Sequence, residues 1–273
     1  MHNADDRPRI SIDDPADPQI EVFLGLRDHV ARQTREQPGG DMAGSFIAEG
    51  DLVIERGLAA GYELISLLIS SRRTKALPAG IGDSVDILAA ADPVLEVVTG
   101  RPELRDPLAR FRRPLPIDVS ELLASGRSFA VLEGVNNPNN LGVIMRNAAA
   151  LGVDAVLLDA TCGDPLYRRA IRASMGQVFA IPHARLGPLS ASLDLLHDAG
   201  IESIALVPSA EQPLLRPTGA DRVAVLLGAE GPGLTPATIE AATHRMCIPM
   251  VRSVDSLNVA SAAAIAFHTL RGV

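Results

Sequence analysis

Cys247-Ile248-Pro249-Met250-Val251-Arg252-Ser253-Val254-Asp255-Ser256-Leu257-Asn258-Val259-Ala260 is a polar, turn-rich break between an apolar, strand-like run and a helix-like run of small residues. Pro249 removes a backbone donor, and Ser256 or Asn258 can accept from the first-turn amides of the helix that follows. Upstream, apolar runs at residues 129–135, 155–158, 201–207, 223–227 and 246–248 alternate with helix-like segments. Such alternation predicts an α/β domain whose parallel sheet is covered on both faces.

Two further breaks have the same character. In Leu227-Gly228-Ala229-Glu230-Gly231-Pro232-Gly233-Leu234, Gly228 and Gly231 end a strand and begin a turn, and Glu230 is the one charge. A loop of this kind suits a backbone that touches a ligand at the carboxyl end of a parallel sheet. Its Gly-x-x-Gly-x-Gly spacing fits neither a Walker loop nor the dinucleotide fingerprint. The second break is Asn136-Asn137-Pro138-Asn139-Asn140-Leu141-Gly142, followed by Val143-Ile144-Met145-Arg146-Asn147. Asn139 or Asn140 is expected to cap the next helix, with Arg146 in its first turns and Gly152 at its left-handed end. The histidines at 29, 183, 197, 244 and 268 are scattered without metal spacing, and neither a hydrolase elbow nor a zinc motif occurs, so no metal is expected.

Taken in chain order (136–147, 227–234 and 247–260), these three stretches resemble the motifs of the SpoU (TrmH-type) RNA methyltransferases of the SPOUT superfamily. The resemblance is good over about the last 150 residues. It implies a catalytic domain with a deep C-terminal trefoil knot, a homodimer packed through that domain, S-adenosyl-L-methionine as cofactor, and a ribose 2′-hydroxyl of structured RNA as acceptor. Carried over position by position, it implies cofactor contacts from Gly228, Ala229, Ile248, Met250 and Leu257. It implies catalytic roles for Arg146, Asn140, Glu230, Ser256 and Asn258. Asn137 stands where many members have Asp, so no carboxylate is available there.

The first hundred residues resemble more weakly the small ribosomal-protein-like, substrate-binding α/β domain that precedes many such catalytic domains. Residues 45–50 and 63–69 read as strands flanking a helix at 51–60, residues 20–35 as a helix, and 85–88 and 93–98 as a further strand and helix. The expected organisation is a flexible arm at 1–18, a substrate-binding domain at 19–100, a Pro- and Arg-rich linker at 101–117 and the catalytic domain at 118–273. Pro102, Pro107, Pro114 and Pro116 are the reason for the linker.

With 273 residues, 47% of them hydrophobic, the chain has ample material for buried cores. Its net charge of −8 opposes nonspecific attraction to nucleic acid, so RNA contact has to come from local clusters. Arg72, Arg73 and Lys75 form one cluster, Arg105, Arg110, Arg112 and Arg113 a second, and Arg168, Arg169 and Arg172 a third. Lys75 is the only lysine, so clustering partly reflects a general use of Arg. Two distant cysteines, no apolar stretch of membrane-spanning length and no leader-like start predict a soluble, cytoplasmic protein without disulfides. The acceptor is expected to be rRNA more than tRNA, because of the extra N-terminal domain. The alternatives are a non-catalytic RNA-binding or ribosome-assembly module of the same fold, and a nucleotide-cofactor dehydrogenase.

Overall fold

The computed structural model describes residues 7–25, 34–36, 39–100, 106–251 and 255–271. It divides into two compact units. One comprises the residues up to Leu115 together with Leu166–Arg172, and the other Pro116–Pro165 with Ala173–Val273.

The first unit holds strands β1 (Ile10–Ile12) and β2 (Ser45–Glu49), helix α1 (Asp51–Ala59), strands β3 (Leu64–Ser70) and β4 (Asp86–Ala90), helix α2 (Asp92–Thr99) and strand β5 (Leu108–Arg112). Its sheet runs β1-β4-β3-β5-β2, parallel on the β1 side and antiparallel around β5. Strand β5 lies between β2 and β3, so the strand–helix–strand unit is not a pair of neighbouring strands. Phe111 stacks on Phe46, with ring centroids 5.6 Å apart, and both rings are fully buried.

Two expectations need correction here. Residues 108–112 are not linker: Leu108, Ala109 and Phe111 are buried in β5, and their apolar burial outweighs the breaking tendency of the flanking prolines. Residues 7–18 are not a free arm either. Ile10–Ile12 pairs in parallel with β4, and the Arg7 guanidinium donates to the carbonyls of Gly82 (2.7 Å) and Ile81 (2.6 Å). The helix expected at 20–35 begins as a 3-10 turn at Pro18–Phe23, capped by Asp17, and residues 26–33 of it lie outside the described residues. So do residues 101–105 of the linker, Arg105 among them, and the first six residues of the arm.

The second unit carries α3 (Val119–Ser125), β6 (Ser128–Glu133), α4 (Pro138–Leu151) and β7 (Ala155–Leu158). After α5 (Arg168–Ala173), most of which groups with the first unit, come β8 (His183–Arg185), α6 (Leu189–Asp198), β9 (Glu202–Leu206), β10 (Gln212–Pro213), β11 (Val223–Gly228), α7 (Pro236–Ala241), β12 (His244–Cys247) and α8 (Val259–Leu270). All seven strands are parallel, in the order β10-β12-β9-β11-β6-β7-β8. The expected parallel sheet is therefore present, extended at its edges by two short strands, β8 and β10. Phe129, Ala130, Val131 and Leu132 of β6 and Val223 through Leu227 of β11 are at most 2% exposed. Side chains on both faces of these central strands are thus out of water, as a sheet covered by helices requires.

Parallel topology sends every chain crossing over a face, so loops that follow the strands gather at the carboxyl ends. The three motif stretches all follow strands: β6, β11 and β12.

Candidate active site

Helix α4 starts two or three residues earlier than its sequence suggested. Its cap is Asn137, whose Oδ1 accepts from the amides of Asn139 (2.9 Å) and Asn140 (3.3 Å), while Pro138 occupies the first position, where no N–H is needed. Neither Asn139 nor Asn140 is the cap. This frees the Asn140 side chain, whose Nδ2 donates to Glu230 Oε2 at 2.9 Å. Gly152 closes the helix in the left-handed conformation (φ 76°), as its position implied.

Asn258 caps the last helix by accepting from the Ala260 amide at 3.0 Å, and its own Nδ2 donates to Asn140 Oδ1 at 3.0 Å. Glu230, Asn140 and Asn258 therefore form one continuous chain of hydrogen bonds. Each comes from a different motif. A second tie, from Asn147 Nδ2 to the Ala260 carbonyl (3.0 Å), holds α4 against α8. Beside this chain lies a cleft of about 220 Å³ lined by Gly134, Val135, Asn136, Asn137, Asn140 and Glu230.

The loop after β11 is closed on itself. The Gly233 amide donates to the Ala229 carbonyl at 2.9 Å, and a Cβ on Gly228 would fall 2.1 Å from the Gly233 carbonyl carbon. Only glycine fits position 228 without moving that backbone. After β12, Ile248 and Met250 are half-buried, while Val251 (77%) and Leu257 (38%) leave apolar surface exposed. Ser256 is also exposed, and residues 252–254 of this motif lie outside the described residues.

Arg146 does not join the cluster. Six residues beyond Asn140, it points about 120° around the helix from it at 3.6 residues per turn. It is exposed, and among the described residues no hydrogen bond or ion pair engages its guanidinium. Asn140, Glu230 and Asn258 are thus brought together, whereas Arg146 and Ser256 stand outside the hydrogen-bonded chain.

In the second unit, two buried carboxylates among the described residues were not singled out from the sequence. Glu133 (8% exposed) ends β6, and Asp159 (5%) directly follows β7. Burial pushes the Asp159 carboxyl upward. Donation from the Gly134 amide, the Thr161 hydroxyl and amide and the Cys162 group outweighs that push and leaves it below the ordinary carboxylate range. Burial, reinforced by the neighbouring Asp159 charge, drives the Cys162 thiol up to about 12, so it remains a thiol. A signal for both acids existed: each is a charge placed directly after an uninterrupted apolar run, Val131-Leu132 before Glu133 and Leu157-Leu158 before Asp159.

The SpoU rRNA Methylase family model matches residues 127–268. An uncharacterized tRNA/rRNA methyltransferase of Mycobacterium bovis is 41% identical over 262 residues, covering 93% of this chain and 89% of the relative. The 23S rRNA (guanosine(2553)-2′-O)-methyltransferase RlmP of Bacillus subtilis is 26% identical, covering 84% of this chain and 89% of its own length. Among solved structures, the AdoMet-bound rRNA methyltransferase from Sinorhizobium meliloti superposes with a TM-score of 0.76 at 25% identity, covering 96% of this chain and 97% of that one. With its three motif loops joined at the carboxyl ends of a parallel sheet, the chain belongs to the SpoU rRNA methylase family.

Proposed function

We propose that this protein methylates a ribose 2′-hydroxyl in structured RNA, rRNA rather than tRNA, using S-adenosyl-L-methionine. The observation that carries this is the hydrogen-bonded chain Glu230–Asn140–Asn258, which couples all three motif loops at the edge of one cleft. The Bacillus subtilis relative, a 23S rRNA guanosine 2′-O-methyltransferase, supports the ribose and the rRNA alike.

The residues present fit the cofactor. Apolar surface at Val251 and Leu257, with Ile248 and Met250 half-buried beside the β12 end, offers cover for an adenine ring. Gly228, Ala229, Ile248, Met250 and Leu257 would hold the group, which supplies, when bound, a methyl on a positively charged sulfur. The protein's own task is then placement, which alone is worth many powers of ten in rate when reacting atoms are held about 3–3.5 Å apart. Asn140 and Asn258 fix each other and Glu230, so the carboxylate faces the cleft in one orientation. Ser256, exposed just before the Asn258 cap, is available to the acceptor nucleotide. Arg146 meets the RNA from outside the cluster, gripping a phosphate or a developing alkoxide; as a guanidinium it serves as a cationic clamp, not a base.

A homodimer through the second unit belongs to the same proposal. Val143 of α4 (37%) and Ile265 of α8 (41%) are exposed apolar side chains beside small ones that permit close approach. The trefoil knot, the substrate-binding role of the first unit and a cytoplasmic location remain parts of the proposal carried by the resemblance; no described helix is long and apolar enough to cross a membrane.

Transfer of labelled methyl from S-adenosylmethionine to total RNA, followed by mapping of 2′-O-methyl positions with and without the gene, tests the proposal. A ribose position that loses its mark without the gene is the expected result. An unchanged map with no transfer in vitro would sink it.

A further inference from the structure

Glu133 accepts from the Thr235 amide at 2.8 Å, lies 3.0 Å from the Thr235 hydroxyl, and accepts from the buried Thr238 hydroxyl at 2.7 Å. Its backbone is paired in register with Gly228, the last residue of β11. The loop that leaves β11 at Gly228 therefore returns at Thr235 to the same residue it left. Between those points the loop is stiff, because Gly233 bonds back to Ala229 and the backbone crowds Gly228. What remains free is a hinge of the whole loop at its far end, and Glu133 removes that freedom. Glu230 sits in the middle of the loop, exposed, with its carboxylate on Asn140.

We infer that Glu133 is a positioning residue, clamping the loop from Gly228 to Thr235 so that Glu230 meets Asn140 at the cleft. Both carboxylate oxygens are used, Oε2 by the Thr235 amide and Oε1 by the Thr238 hydroxyl. An amide at this position carries no charge and only one accepting oxygen, so it cannot keep the charge-assisted bonds from the Thr235 amide and from both hydroxyls, which would have to turn and accept from its N–H₂. This rests on the reading of Glu230 as part of the acceptor site.

The test is a double-mutant cycle of Glu133→Gln with Glu230→Gln, read as kcat and KM for methyl transfer, beside amide hydrogen exchange of the full chain. A misplacement near 1 Å costs on the order of 10²-fold in rate. That loss is expected in kcat of Glu133→Gln, with the KM for S-adenosylmethionine little changed. In the Glu230→Gln background the second substitution should cost almost nothing, because the positioned group is already gone. The Thr235 amide and its loop neighbours should exchange faster while β6 and β11 keep their protection.

Additive losses in the cycle, or unchanged exchange at Thr235, would overturn the clamp. If Glu133→Gln loses protection throughout the second unit, Thr238→Val, which keeps the carboxylate and removes one donor, takes its place in both measurements. Global loss in that variant too would overturn positioning in favour of a core role. A wild-type chain that methylates no RNA would instead sink the proposed function, and the exchange measurement would still decide the clamp.

Discussion

Several basic residues of the first unit and the arginine of helix α4 are alike in sequence and opposite in structure. In the first unit, Arg72 pairs with Asp92 (2.5 Å), Arg73 and Lys75 share Asp51 (2.6 and 2.7 Å), Arg112 meets Glu63 (2.6 Å) and Arg168 meets Glu49 (2.6 Å). Among the described residues Arg110 bonds a neutral partner, the Ser45 hydroxyl, and burial, followed by repulsion from Arg112, lowers its pKa. Among the described residues, neither a carboxylate nor a hydroxyl engages the exposed Arg146 guanidinium. A cluster of basic residues in sequence thus overstates the positive charge offered to RNA. What counts is which guanidinium has no carboxylate or carbonyl to satisfy it, and the second unit makes the same point. There Arg185, Arg216, Arg222 and Arg245 gather backbone carbonyls, three of them at helix ends.

The contrast can be broken most directly at Arg146. Arg146→Ala should lower turnover on the order of 10²–10³-fold, as loss of a charged transition-state contact does, with the fold and cofactor binding retained. Methylation of the true RNA near the wild-type rate would end the assignment. The same variant should also reduce the slope of log affinity against log salt by about one phosphate contact.

A structural arginine should behave in the opposite way. Arg222 donates to the carbonyls of Gly126 (2.7 Å) and Ala199 (2.5 Å) and also reaches that of Leu123. Arg222→Ala strands these acceptors at about 1–3 kcal/mol for each one left dry, and the loss should appear in the melting temperature. An unchanged Tm together with weaker RNA binding would place Arg222 on the substrate side of the comparison.

Smaller still is the acid response. Because the folded-state pKa of Asp159 is lowered, its contribution to stability is complete above the unfolded value, about 3.9, and is lost as pH falls through the folded value. Denaturant titrations from pH 6 downward should show that decline flattened in Asp159→Asn. A parallel decline in both proteins would mean that other carboxylates carry it.

The least effect belongs to the first unit's surface pairs. The Arg72 side chain is 78% exposed, so Arg72→Ala should change stability by about 0–1 kcal/mol and leave the salt dependence of RNA binding unaltered. A flatter salt slope would show that Arg72 leaves Asp92 for phosphate and would erase the distinction between the two regions.

Legibility followed burial. Strands β6, β7 and β11 were plain in the sequence because both of their faces are buried and their central residues run apolar without interruption, and β9 because Ile204-Ala205-Leu206 continues into Val207. Strand β5 was hidden, since Leu-Ala-Arg-Phe-Arg between prolines reads as a tether when only one side of the residues is apolar. Strand β1 is three residues long, below what any period can mark. The motif loops were legible as stretches, but their wiring was not. The shift of the cap from Asn139 or Asn140 to Asn137 depends on where Pro138 falls in the first turn, and that shift alone releases Asn140 to join Glu230 to Asn258. Glu133 was harder to see, because its partners Thr235 and Thr238 lie about a hundred residues away, whereas Asp159 draws on Thr161 and Cys162 directly after it as well as on the distant Gly134 amide.

The all-parallel order of the second sheet has a kinetic consequence. Its central ladder joins β6 to β11, from Ser128 with Val223 to Glu133 with Gly228, with no hairpin to start it. Every closure spans a long loop, so the unit is expected to fold slowly for its size. During synthesis, the strand ahead of the Asn137 loop has to wait for most of the domain to leave the ribosome before its β11 neighbour exists. An exposed β6 edge, apolar on both faces, is then the nascent chain's main aggregation hazard.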